Sequence, residues 1–449
     1  MPIIWADQAL LPTGWARNVR IEIQRGRIQT VTTDATPEGY RTAIALPAPV
    51  NVHSHAFQRA MAGLTEARGP DPRDTFWTWR QMMYRFLDQL TPEDVEAIAA
   101  LVQLEMLEAG YATAVEFHYL HHQPDGTPYQ NLSEMSERIL AAADTSGIAM
   151  TLLPVFYQYG GCDKRALADG QHRFGNDLDR FTELYTALKN AVPDNAILGV
   201  APHSLRAIDP TQLSDLVALA EGRPIHMHLA EQDAEVTEVE AVWATRPAAL
   251  LFDHADVGKE WCLIHCTLLS ENEIEQLTTA NAVAGLCPIT EANLGDGIFD
   301  ATGWFGQGGS IAIGSDSNVD ITLAGELRQL EYSQRLRHRA RAVLADTGTS
   351  TGRRMFDAIC VGGGQASGRE TGKLEPGKYA DILALDADHV DAAGLLGDTV
   401  LDAFVFAGGP MVGDVWVAGQ HLVRGGQHVN RDVILQEYRA AVARLRGAL

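Results

Sequence analysis

The chain is poor in basic residues and in cysteine, and it has no long apolar run. Lysine and arginine number 35 against 58 aspartates and glutamates in 449 residues, a formal net charge of -23. A nucleic-acid or anionic-membrane partner needs a basic surface, so neither is expected. A small anionic substrate is not excluded, because it needs only one or two local cations. The five cysteines, Cys162, Cys262, Cys266, Cys287 and Cys360, are odd in number and include no Cys-x-x-Cys pair, as free thiols in a reducing compartment would be. The opening MPIIWADQALLPTGW lacks a basic stretch leading into an apolar one, and no uninterrupted apolar run is long enough to span a bilayer. The expectation is a soluble cytoplasmic protein.

Apolar residues make up 46% of the chain, enough for a large core. The length exceeds one average domain at roughly 100–200 residues each, and α/β barrels exceed that figure as single units. Both ends look like short strands. VRIEIQRGRIQTV alternates around an Arg-Gly turn, and GKLEPGKYADILALDAD and MVGDVWVAGQHLVRGGQ share its character. Neither end suffices for a core alone, so residues 1–48 and 372–430 are expected to pair into one small β-sandwich domain. Residues 49–371 alternate short apolar runs with stretches of helical period. TPEDVEAIAALVQLEMLEAG opens on a threonine cap with Glu93 two residues on and stops at Gly110. Eight strands, nearly all followed by a helical stretch, predict a TIM-like (β/α)8 barrel with its site at the C-terminal strand ends. Residues 431–449 read as an amphipathic helix.

The chemistry-bearing side chains fall at those strand ends. The first strand ends in NVHSH, with His53 and His55, and the second in EFHY, with Glu116, His118 and Tyr119. The fourth ends in His203, the fifth in HMHLAE, the sixth in His265 and the eighth in GSDSN, with Asp316. Alternate strand residues point to one side, so His53 and His55 reach a common ion. His228 and Asp316 complete a His₃Asp set with room for water, a mononuclear catalytic site for which zinc is the default ion. His226 competes with His228 and reads as a packed histidine. Glu231 and His265 are the proton-transfer and charge-stabilising candidates, with Asp316 able to accept a proton in turn. The bland alternatives stay open here: Glu231 as a helix-start carboxylate, Asp316 as a cap, His265 clustered with Cys262 and Cys266. Arg80, in FWTWRQMMYR, and Arg206, in PHSLRA, present forks that suit a dicarboxylate, or else make ordinary surface ion pairs. The histidines of EFHYLHH, His118, His121 and His122, are expected to contact substrate or solvent. No lysine ends the fourth strand, which favours one metal over two. Arg59 reads as a surface charge.

Together the phrases NVHSHAFQRAMAGLTE, FWTWRQMMYR, EFHYLHH, PHSLRA, HMHLAEQ and GSDSN make the chain resemble the formimidoylglutamate deiminases of the amidohydrolase superfamily, over nearly its whole length. The resemblance implies metal-dependent hydrolysis of N-formimino-L-glutamate to N-formyl-L-glutamate and ammonia, in histidine degradation. It implies one Zn²⁺ per subunit on His53, His55, His228 and Asp316, and catalysis by Glu231, His265 and Asp316. It implies substrate contacts from Gln58, Tyr119 and His203, and carboxylate clamps from Arg80 and Arg206. A homodimer is common among such relatives.

Two rivals remain. A mononuclear zinc deaminase of guanine-like or adenosine-like bases shares the metal set, but a neutral base needs no pair of arginine clamps. A non-catalytic metal-binding barrel is disfavoured by the intact Glu231, His265 and Asp316.

Overall fold

Alternating apolar residues at both ends of the chain form strands that meet in one sheet. The computed structural model describes residues 2–66 and 83–447, so Arg80 and the rest of the FWTWR segment lie outside the described residues. The strands of this sheet are β1 (Ile3–Leu11), β2 (Gly14–Gln24), β3 (Arg27–Thr32) and β4 (Tyr40–Pro47) from one end. The barrel supplies β5 (Val50–Ser54), β6 (Thr113–His118), β7 (Ala149–Phe156), β8 (Ile197–Leu198), β9 (Ala201–Pro202), β10 (Ile225–Leu229), β11 (Trp261–His265), β12 (Val283–Leu286) and β13 (Ser310–Ile313). The other end adds β14 (Ile382–Leu385), β15 (Val412–Val417), β16 (Gln420–Arg424) and β17 (Gln427–His428).

VRIEIQRGRIQTV is the hairpin β2–β3, with Gln24 opposite Arg27 and Arg25-Gly26 as its two-residue turn at positive φ. The end sheet runs β17-β16-β15-β14-β4-β1-β2-β3, and the antiparallel β4–β14 pair, with Leu46 opposite Leu383, joins the two ends of the chain. Ile4, Val19, Ile21, Ile28, Ile382 and Trp416 give this unit its own core.

The barrel strands are parallel, in the order β10-β11-β12-β13-β5-β6-β7-β8, with β9 on β7. Bridges from Val200 to Ile225 and from Ser204 to His228 close the ring between the fourth strand and β10. β5, β6, β7, β10, β11 and β12 are buried at every position, as parallel strands covered on both faces must be. Helices at Glu134–Ser146, Leu178–Ala191, Leu213–Ala220 and Glu271–Thr279 follow β6, β7, β9 and β11. The helix Pro92–Ala109 has a reciprocal capping box on Thr91. Its partner is Asp94 rather than Glu93, because only the third helical position reaches back to the cap N–H.

The fourth strand is not one continuous run but is split into β8 and β9. At the break, a Cβ on Gly199 would lie 2.4 Å from the Pro224 carbonyl oxygen, so the chain passes its neighbour too closely for any side chain. The helix Arg431–Arg446 packs on Pro92–Ala109. Among the described residues no helix is long and apolar enough to cross a membrane.

Candidate active site

The period of two along β5 sends His53 and His55 to one side, and the loop after β13 delivers Asp316 between them. The Asp316 N–H donates to the His53 carbonyl and the His55 N–H donates to the Asp316 carbonyl, each at 2.9 Å. Asp316 takes φ 44°, a left-handed conformation rare for a non-glycine residue and held here by those two bonds. Asn51 ties the same strand ends. Its Nδ2 donates to Ser315 Oγ at 2.7 Å, and its Oδ1 accepts from the Ser315 N–H at 3.2 Å. The result is a tight cluster. His53 Nε2 lies 3.1 Å from His228 Nε2 and 3.5 Å from Asp316 Oδ1, and His55 Nε2 lies 3.2 Å from that same oxygen.

This donor set fits a divalent cation. His55 Nδ1 faces the Phe117 carbonyl at 3.0 Å and His228 Nδ1 faces the His203 carbonyl at 2.9 Å. Each pairing puts the ring proton on Nδ1 and turns the Nε2 lone pair inward, the usual arrangement behind a metal-binding histidine. Burial pushes His53 down to about 3 and His228 well below the ordinary imidazole range, so both are neutral. Burial works to raise the Asp316 carboxyl, but hydrogen bonds to His53 and His55 outweigh it and keep the group ionised. Neutral imidazoles and an ionised carboxylate are the forms that ligate.

Glu231 and His265 border the same centre. His265 Nε2 lies 3.8 Å from Glu231 Oε1 and 3.9 Å from Asp316 Oδ2. Burial opposes protonation of His265, yet the carboxylates of Glu231, Glu291 and Asp316 prevail and lift it to about 10. A pocket opens on this group, and Gln58, Tyr119, His203, Arg206, His228, Glu231, His265 and Asp316 all line it. Gln58 Nε2 donates to Tyr119 Oη at 2.8 Å, and His203 Nδ1 pairs with Ser204 Oγ at 3.0 Å. Every site residue expected from the sequence therefore meets here except Arg80, which lies outside the described residues.

Other expectations change. His226 is packed away from the cluster, with Nε2 2.8 Å from the Ala366 carbonyl. His118, His121 and His122 meet neither the pocket nor solvent. All three are buried, His121 Nε2 faces the Val155 carbonyl at 2.9 Å, and His122 Nε2 pairs with Gly175 and Asn176. His121 and His122 instead tie the loop after β6 to β7 and to the Gly175-Asn176 segment. Arg59 is no loose surface charge, since Glu105 takes it in a two-bond fork at 2.7 and 2.9 Å. The sulfur grouped with His265 is that of Cys287, not Cys262 or Cys266. Among the described residues, the donor groups within 4.8 Å of one another are His53, His55 and His228, and His265, Cys287 and Asp316.

Sequence reasoning named Glu116 at a strand end without giving it a role, and missed two other buried carboxylates around this centre, Glu235 and Glu291. Glu235 accepts from the N–H groups of Ala230 and Glu231 at 3.2 and 3.1 Å and so anchors the loop that carries Glu231. Glu116 accepts from the Ala56 N–H at 2.7 Å just past His55. Burial raises both to about 7. Glu291 reaches His265 from the short helix Pro288–Leu294. The available signal was a run of acids just beyond strand ends, where carboxylates also cap helices.

Residues 44–422 match the amidohydrolase family, and residues 1–40 match the N-terminal domain of formimidoylglutamate deiminase HutF. The chain is 45% identical to the formimidoylglutamate deiminase of Pseudomonas aeruginosa, over 96% of this chain and 97% of that protein. It is 27% identical to a 5-methylthioadenosine/S-adenosylhomocysteine deaminase of Pelotomaculum thermopropionicum, over 84% and 82% of the two chains. The crystal structure of an amidohydrolase from Brucella melitensis superposes with a TM-score of 0.96 at 49% identity, covering 99% of this chain and 100% of that one. A zinc-bound adenosine deaminase from Xanthomonas campestris shares the fold, with a TM-score of 0.81 at 21% identity over 99% and 98% of the chains. The chain belongs to the amidohydrolase family.

Proposed function

We propose that the chain hydrolyses N-formimino-L-glutamate to N-formyl-L-glutamate and ammonia, a step of histidine breakdown. The observation that carries the reading is Arg206 in the wall of the pocket that also holds Glu231, His265 and the His₃Asp cluster. A guanidinium there offers a carboxylate its two-bond fork while the polar centre takes the amidine. The 45% identity to a formimidoylglutamate deiminase over nearly the full length supports the choice of amidine.

His53, His55, His228 and Asp316 would hold one Zn²⁺ per subunit. When bound, the ion supplies Lewis acidity that lowers the pKa of a water towards neutrality. Glu231 takes a proton from the attacking water as its oxygen adds to the amidine carbon, and passes it to the terminal nitrogen. His265, with its proton held by the surrounding carboxylates, stabilises charge at the reacting carbon, and Asp316 accepts the second proton. Asp316 returns that proton to the departing nitrogen as the carbon–nitrogen bond breaks, so ammonia leaves and the formyl carbonyl closes. Gln58, Tyr119 and His203 orient the substrate, Arg206 holds one carboxylate, and Arg80 is assigned the other. The same proposal includes a homodimer and a cytoplasmic setting, the latter supported by five free, buried cysteines.

The test is ammonia release from formiminoglutamate, guanine and adenosine by metal-loaded protein. Turnover of formiminoglutamate alone is expected. Turnover only of a purine would replace this reading by the aromatic-base deaminase, and ammonia from none of them would favour a binding protein.

A further inference from the structure

Glu291 is a buried carboxylate to which the mechanism above gives no step of its own. It lies on the helix Pro288–Leu294 after β12, and among the described residues its one ion-pair partner is His265. Burying a carboxylate without a lysine or arginine is costly, so its retention needs a reason. Its Oε1 accepts from the Cys287 N–H at 2.8 Å and lies 3.3 Å from His265 Nδ1.

His265 needs such a hold. It and Cys266 both take left-handed backbone conformations, at φ 70° and 54°, so the regular pleat of β11 no longer sets where the ring points. The ring stacks on His228, with centroids 5.6 Å apart and planes 14° from parallel. Stacking fixes the plane of an imidazole but is satisfied equally well when the ring is turned over. A carboxylate on one edge breaks that tie. With Nδ1–H donating to Glu291, Nε2 is left facing Glu231 and Asp316, at 3.8 and 3.9 Å.

We propose that Glu291 is a positioning residue for the reaction. It selects the ring orientation of His265 that presents Nε2–H to the reacting centre. The neighbouring chain extends the same function. Leu294 lines the pocket, and Asp296 Oδ1 accepts from Gln232 Nε2 at 2.6 Å, beside Glu231. The loop after β12 thus holds the His265 ring through Glu291 and the residue next to Glu231 through Asp296.

The inference rests on the deiminase reading for its assay, so wild type is run alongside. Glu291→Gln and Glu291→Ala are expected to lower kcat by about 10- to 100-fold. KM should stay within about twofold and metal content at the wild-type level, because ring orientation bears on the step and not on binding. Glu291→Asp, which keeps the charge on a shorter arm, should recover part of kcat. Wild-type kcat in Glu291→Gln and Glu291→Ala would overturn the proposal. So would kcat, KM and metal content falling together, since that marks a structural role. If wild type itself releases no ammonia, the deiminase reading fails but this one is still tested. Nitrogen NMR of ring-labelled histidine should then show His265 protonated at Nδ1 in wild type and altered in Glu291→Gln, and an unchanged His265 signal would refute it.

Discussion

The Nε2 atoms of His53 and His228 face each other across 3.1 Å, each on a buried ring. The His228 Nε2 lone pair, set by the Nδ1 bond to the His203 carbonyl, points at His53 Nε2, and the two nitrogens repel unless a proton or a cation lies between them. With Asp316 alongside, a divalent ion removes that repulsion and its binding adds to folding stability. Saturating metal at about 100 times its Kd should stabilise the fold by about 2.7 kcal/mol, measured by thermal unfolding with and without chelator. His228→Ala should lose the bound metal, the activity and this metal-dependent gain together. A gain that survives in the variant would place the ion elsewhere.

Glu231 lies 3.8 Å from His265 and is anchored through its own N–H to Glu235. Glu231→Gln preserves shape and removes the base, so kcat should fall by about 10²- to 10⁴-fold with metal content unchanged. A loss below tenfold, read by single-turnover ammonia release, would move the proton transfer to another group.

Much of this site was legible because barrel geometry turns distant sequence positions into neighbours. A His-x-His at one strand end is weak alone, and five further polar strand ends made His53 and His55 half of a cluster. The capping of the helix Pro92–Ala109 and the hairpin at Arg25-Gly26 were equally local signals. What could not be read was anything set by how loops turn. His118 ends β6 and His121 and His122 follow it, much as the pocket residues sit at other strand ends, yet all three are buried away from the pocket. Glu235 and Glu291 sit in helical first turns, where acids are common for reasons unrelated to catalysis. Their roles depend on the left-handed backbone at Ala230 and His265, which no period or propensity announces.

Arg206 is buried in the pocket wall, where a substrate carboxylate gains most from a charged hydrogen bond. Losing such bonds costs about 1.5–3 kcal/mol. Arg206→Met should therefore raise KM by about 10- to 100-fold, with a smaller change in kcat. An unaltered KM for formiminoglutamate would remove Arg206 from carboxylate recognition.

Asn51 does not line the pocket, yet it holds Ser315 by two hydrogen bonds, next to Asp316. Asn51→Ala removes one partner each from the Ser315 N–H and hydroxyl, which keep the His53 carbonyl at 3.0 Å and Asn318 Oδ1 at 2.6 Å. The expected cost is about 0.5–1.5 kcal/mol in denaturant unfolding, accompanied by weaker metal retention on dialysis. Stability lost with metal retention intact would confine Asn51 to packing.

Acid should destabilise the fold through histidines that bind no metal. Burial lowers His226 to about 4 and His118 to about 3, from 6.5 in an unfolded chain. Above pH 6.5 both states carry neutral rings and these groups impose no pH dependence. Below it the unfolded chain binds protons that the folded one refuses, so stability falls as pH drops towards the folded values. The slope is about 1.4 kcal/mol per pH unit for each such histidine. His226→Gln keeps a donor for the Ala366 carbonyl and removes the titrating ring. Chelator-treated protein should then lose stability between pH 6 and pH 4.5 less steeply than wild type, by about one histidine's share of the slope. Equal slopes in urea unfolding across that window would show that the His226 ring takes up its proton without unfolding.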